Sequence, residues 1–138
     1  MSVIATDTKR LSNLLKHEYA PEYAYCRDVV TVNESAAKTY AVGTVLGKVT
    51  ATGKYKIAVE TAVDGSKVAA AIVMADASIA ATTDTKLVVF VKGPAGMNKG
   101  GLILDASYDD NSKKQAVYDA IEAKGIQLLD QVGVAVGV

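Results

Sequence analysis

Tryptophan is missing from this 138-residue chain, and cysteine and histidine occur once each. A single cysteine, Cys26, rules out an internal disulfide and fits a reducing compartment. One Cys and one His cannot make a Cys/His zinc site within one chain unless carboxylates join them. Only 6% of residues are aromatic although half are apolar, so core contacts fall mainly to Val, Ala, Ile and Leu. Neither sign of charge is in excess, with 15 basic residues against 15 acidic. That balance argues against a partner held by bulk electrostatics, such as a nucleic acid or an anionic membrane. No apolar run approaches the ~20 residues a membrane span needs. The opening "MSVIATDTKRL" lacks a secretory apolar core. The expectation is a soluble protein kept in a cytoplasm, or built into something assembled there.

What is present reads as one domain, long enough to bury roughly two-thirds of its unfolded surface. Residues 1–18 are polar with a few large apolar side chains. Leu11, Leu14 and Leu15 share one short helical face, too short to hold a helix alone. Pro21 biases Ala20 toward extended geometry. The reading is a flexible N-terminal arm over 1–22, ordered by a partner, and a body over 23–138.

The body is β-rich. "YAYCRDVVTV" opens it, and "NESAAKT" reads as a turn. "YAVGTVLGKVTATGKYKIAVE" reads as short strands punctuated by Gly43, Gly47 and Gly53. Asp64-Gly65 marks a turn, and "KVAAAIVMA" reads as the strand after it. "DASIAATTDT" reads as a connection. "KLVVFVKG" is the clearest strand, ended by Gly93-Pro94, and "AGMNKGGLIL" reads as a strand with a glycine bend. One segment is helical. Ser112 and Gln115 have capping-box spacing, with Asp109 and Asp110 at the positive helix end. Val117 and Ile121 share a face, and Gly125 takes the left-handed position after the helix, folding Ile126 back on Ile121. "IQLLDQVGVAVGV" then reads as one or two strands. The fold class is therefore mainly β with one α-helix in the C-terminal half. No βαβ alternation supports a parallel doubly wound sheet, and a small closed or half-closed β-barrel fits better.

The search for chemistry is unproductive. His17 sits in the arm, a poor place for a general base, and reads as a surface or interface residue. Cys26 has only Arg27 beside it to activate a thiolate and reads as a buried inert thiol. Asp109-Asp110 is explained by the helix start. "GPAGMNKGG" lacks the phosphate-loop order around Lys99. No metal, cofactor or catalytic set is expected. The aromatic cluster "HEYAPEYAYC" is the exception: Tyr19, Tyr23 and Tyr25 suit an interface, or else cap a strand face.

Three stretches carry a resemblance. They are "VDGSKVAAAIVMADAS", "KLVVFVKGPAGMNKGGLIL" and "NSKKQAVYDAIEAKGIQLL", to which "VGTVLGKV" adds an earlier strand. Asp64-Gly65-Ser66, Ala69 to Val73, Thr82 to Thr85, Val88 to Gly93, Leu102 to Leu104, Ser112 to Ala123 and Gly125-Ile126 follow in the family's order. Over about residues 40–130 the chain resembles the head decoration, or capsid cement, proteins of lambda-like tailed phages. Ala71 departs from the family pattern, which has Gly before the residue matched by Ile72.

The resemblance implies a β-tulip-like barrel after an extended arm, a homotrimer, and the major capsid protein as partner. The trimer would sit at three-fold and quasi-three-fold positions outside an expanded icosahedral head and stabilise it against DNA pressure. The arm would add to the capsid sheet. The location implied is the virion, with the host cytoplasm during assembly, and the family has neither enzyme activity nor cofactor. On this reading Leu11, Leu14, Leu15, Tyr19, Tyr23 and Tyr25 are capsid-binding arm residues. Ala69, Ala70, Ala71 and Ile72 keep a strand thin for trimer or barrel packing. Two other readings stay open: a carbohydrate- or receptor-binding β-domain on a virion, and a small hydrolase.

Overall fold

The computed structural model describes residues 14–19 and 26–129 of the chain, without the side chain of His17. Among the described residues the principal elements run in this order: β1 (Leu15–Glu18), β2 (Arg27–Val32), β3 (Lys38–Tyr40), β4 (Val45–Lys48), β5 (Tyr55–Ile57), β6 (Ala69–Val73), β7 (Ala77–Ile79), β8 (Thr85–Phe90), β9 (Ala95–Asn98), α1 (Asn111–Glu122) and β10 (Ile126–Leu129).

Five strands close a barrel in the order β2-β5-β4-β6-β8. The β2–β8 seam is its longest, antiparallel from Arg27↔Phe90 to Val32↔Thr85. The expectation of a mainly β chain with a small barrel and one late helix is met. Closure removes the open edges that would otherwise invite foreign strands. Val30, Val32, Leu46, Ala71, Val73 and Val89 fill the interior. The β3–β7 ribbon contributes Tyr40 and Ile79 to the same cluster.

A second core lies outside the barrel wall. There Phe90 and Ile72, paired across β6 and β8, meet Val117 and Ile121 of α1, Met97 of β9 and Ile126 of β10. The β1-β9-β10 sheet forms this outer layer, with β1 antiparallel and β10 parallel to β9.

Strand β6 therefore has apolar layers on both sides, which explains its alanines. Leu46 pairs with Ala71 but Gly47 pairs with Ala69, so Ala70 is an extra residue in a β-bulge. A bulge breaks the two-residue alternation. Ala71 and Val73 face the barrel cluster, while Ala69 and Ile72 face the outer one. Close approach also needs Gly47, since a Cβ there would lie 1.9 Å from the Ser66 carbonyl oxygen.

That contact explains the Asp-Gly-Ser turn. Gly65 has φ +99°. Asp64 Oδ1 accepts from the Ser66 N–H at 3.1 Å and from its hydroxyl at 2.6 Å. Lys56 Nζ lies 2.8 Å from Asp64 Oδ2. Ser66, fully buried, is locked against β4.

Several local expectations change. The helix N-cap is Asp110, extended at φ −135°, whose carboxylate accepts from the Lys113 N–H at 2.8 Å. Ser112 lies inside the first turn, and Gln115 donates to Asp119 instead of reaching back. A carboxylate already holding the end amides leaves the serine nothing to cap. The turn expected over 33–39 yields Lys38 and Thr39 to β3, and the connection expected over 76–85 contains β7. Among the described residues each gains its ladder only from the other. Leu102 to Leu104 form no strand; one bridge, Thr44↔Ile103, remains. Gly125 does take positive φ, at +90°. It packs so closely that a Cβ on Gly93 would lie 1.9 Å from its carbonyl oxygen.

Candidate functional site

Within the segment 1–22 read as an arm, Leu14 to Glu18 are part of the outer layer. Leu14 is 1% exposed and belongs to the outer core, with Leu15 packed against it. Both thus work here as body-packing residues rather than free contacts. An apolar side chain finds more contact against Met97 and its neighbours than in solvent, and β9 offers β1 a ladder. Of the six arm residues singled out, Tyr19 alone is shown open to solvent, 53% exposed. Leu11, Tyr23 and Tyr25 lie outside the described residues, as does the side chain of His17.

What fastens β1 to the barrel was not visible as a motif. Arg27 Nε and Nη2 donate to the two carboxylate oxygens of Glu18 at 2.8 and 2.7 Å. The Glu18 side chain is nearly covered, and the guanidinium lies 5.4 Å from the Phe90 ring centroid. A paired, two-pronged contact of this kind is among the stronger polar interactions available. The Glu18 hydrogen bond is also the main cause holding the Arg27 guanidinium above its ordinary pKa. Cys26, fully buried, donates its thiol to the Pro94 carbonyl at 3.4 Å. Buried placement suits an inert thiol rather than a nucleophile.

The second missed group is Glu34, 3% exposed. Its carboxylate accepts from the Tyr40 hydroxyl and from the Ile57 N–H, the latter at 2.8 Å. Burial, then this carboxylate, pushes the Tyr40 hydroxyl well above the usual tyrosine range. Both partners are spoken for, so the group ties β3 to β5. Among the described residues no group of three His, Cys, Asp or Glu is placed to hold a metal. Asp109 pairs with Lys113 at 2.9 Å, and the glycine-rich "GPAGMNKGG" supplies β9 and a short 3-10 turn rather than a phosphate cradle.

The four residues read as packing residues are consecutive on β6 and divide between its two faces. Ala69, Ala71 and Ile72 are buried between the two cores, and Ala70 on the bulge is half-buried. The packing at 69, 71 and 72 is satisfied within one chain. The missing family glycine is accommodated because the Ala71 methyl faces the barrel cluster opposite Leu46.

Two of the open surfaces among the described residues stand out for their apolar side chains. On the outer barrel wall Val29 and Val88 face each other across β2 and β8, 56% and 46% exposed. Between α1 and the start of β6 lies a groove of about 320 Å³, lined by Val68, Ala69, Ala116, Val117 and Ala120 together with Glu60, Lys67, Tyr108, Ser112 and Lys113.

A family model, that of the bacteriophage lambda head decoration protein D, matches residues 4–126. The chain belongs to that family. Membership makes it a head decoration protein, a structural component of a phage capsid. The match takes in β1 and most of the N-terminal segment as well as the barrel. No curated protein matches the chain.

Proposed function

We propose that the protein binds as a trimer to the outside of an expanded phage head, at three-fold and quasi-three-fold positions, and stabilises the shell against packaged DNA. The family match over residues 4–126 carries this reading. The exposed Val29–Val88 pair supports it by offering apolar contact area on the barrel wall. On this reading the protein does no catalysis. The partner is the major capsid protein, reached during assembly in the host cytoplasm.

Leu14 to Glu18 are held by the outer core and by Arg27, so residues 1–13 are the part available to add to a capsid sheet edge. Each such segment gives up chain entropy on ordering, and three on one trimer compensate through effective concentration.

Co-sedimentation with expanded empty capsids tests this, comparing the full chain with one starting at Leu14. A cut after residue 22 would also remove Leu14 and β1 from the body, so it would confuse folding with binding. Saturable binding of the full chain, weakened in the shortened one, is expected. A full chain left in the supernatant at capsid excess would overturn the reading.

A further inference from the structure

The outer sheet has the order β1-β9-β10, so among the described residues β10 has a neighbour on one side only. Its free edge runs from Ile126 to Leu129 without a charge or a proline. Natural proteins guard such edges with charged or inward-turned residues, since an open ladder recruits another strand. The opposite edge strand, β1, does carry Lys16 and Glu18. Directly after β10 the sequence continues "DQVGVAVGV". Val132, Val134, Val136 and Val138 alternate with Gly133, Ala135 and Gly137, and no charge follows Asp130. Alternation with a period of two is the pattern of a strand with one apolar face. The tightest return onto its own edge would place Asp130 and Gln131 in a two-residue turn. Such turns want Gly or Asn at positive φ, and Gln131 is ill suited to it. The family match stops at residue 126, short of this stretch.

We propose that residues 130–138 of one copy add as a strand to the free β10 edge of a second copy. The proposal rests on the oligomeric reading above and names one of its contacts. Each copy both offers an edge and donates a strand, so the contact is head-to-tail and closes into a ring when the rotation allows.

The test uses the full chain bearing a single added cysteine, either Q127C or one of V132C, V134C and V136C. Cys26 is fully buried and stays out of the exchange. Mixing the two kinds of chain under mild oxidation should yield a disulfide between different chains for at least one tail position. V134K combined with V136K should weaken self-association ~10-fold, the equivalent of about 1.4 kcal/mol. In double variants that carry Q127C together with one of the tail cysteines, a disulfide formed only within one chain would overturn the proposal in favour of a hairpin on the same edge. Cross-linking that appears with neither arrangement would overturn it as well. Capsid co-sedimentation is read separately, so loss of capsid binding and loss of the inter-chain bond are distinct failures.

Discussion

Strands β6 and β8 are neighbours in one barrel, and both come from continuous apolar runs, yet they meet the surface differently. In β6 every residue but the bulged Ala70 is buried. In β8 burial is complete only at Val89 and Phe90, while Val88 is 46% exposed. The difference lies in what stands outside the wall. α1 and the β1-β9-β10 sheet cover β6 and the end of β8, and their cover stops short of the Val29–Val88 pair. A run of apolar residues thus reports that a strand is wanted by two layers. It does not say that one chain supplies both.

Substitutions along these two strands put that contrast to work. Phe90→Ala should be the most damaging, at about 3–5 kcal/mol. Val88→Ala, two residues away, should stay within about 0.5 kcal/mol. Chemical denaturation of both variants measures the gap, and similar losses would mean the two positions are covered alike.

Arg27→Met leaves the nearly covered Glu18 carboxylate without its partner and should cost about 2 kcal/mol. The loss should appear first as faster amide exchange in Leu15–Glu18, because that pair joins β1 to the barrel. Exchange that rises equally everywhere would deny it this local role. Ala71→Leu should destabilise by about 1–3 kcal/mol through overpacking between Leu46 and its neighbours. Ala70→Leu, on the half-buried bulge, should cost less, and a reversed order of melting temperatures would contradict the bulge.

The smallest effect concerns acid. Asp64 is held below the ordinary carboxyl range, chiefly by the hydrogen bond from Lys56 and then by Ser66. A depressed folded pKa gives stability that is present above the unfolded value and lost as pH falls through the folded one. Stability should therefore decline below about pH 4, and Asp64→Asn should flatten that decline. A variant titration curve parallel to the original would show the turn to be indifferent to the charge.

Much of this architecture was legible because it rests on local chemistry. Asp64-Gly65 needs a positive φ, Gly125 ends a helix, and "KLVVFV" can hardly avoid a sheet. The family order of these elements made the barrel and the capsid role readable too. What escaped depends on distant partners. β3 and β7 are three-residue strands of mixed polarity that exist through each other. Glu18 and Arg27 form a fork across the start of the barrel, which neither residue announces by its type. Asp110 displaced Ser112 as cap because the helix begins two residues earlier than the capping-box spacing suggested. Leu14 and Leu15 read as a helical stripe; Leu14 is indeed helical, while Leu15 opens β1 because β9 offers it a ladder.

An icosahedral reconstruction of expanded capsids incubated with the protein tests the central claim most directly. The account predicts three-lobed density capping the three-fold and quasi-three-fold positions, each lobe fitted by one barrel with its helix. Capsids that remain bare at saturating protein, or carry single lobes elsewhere on the lattice, would contradict it.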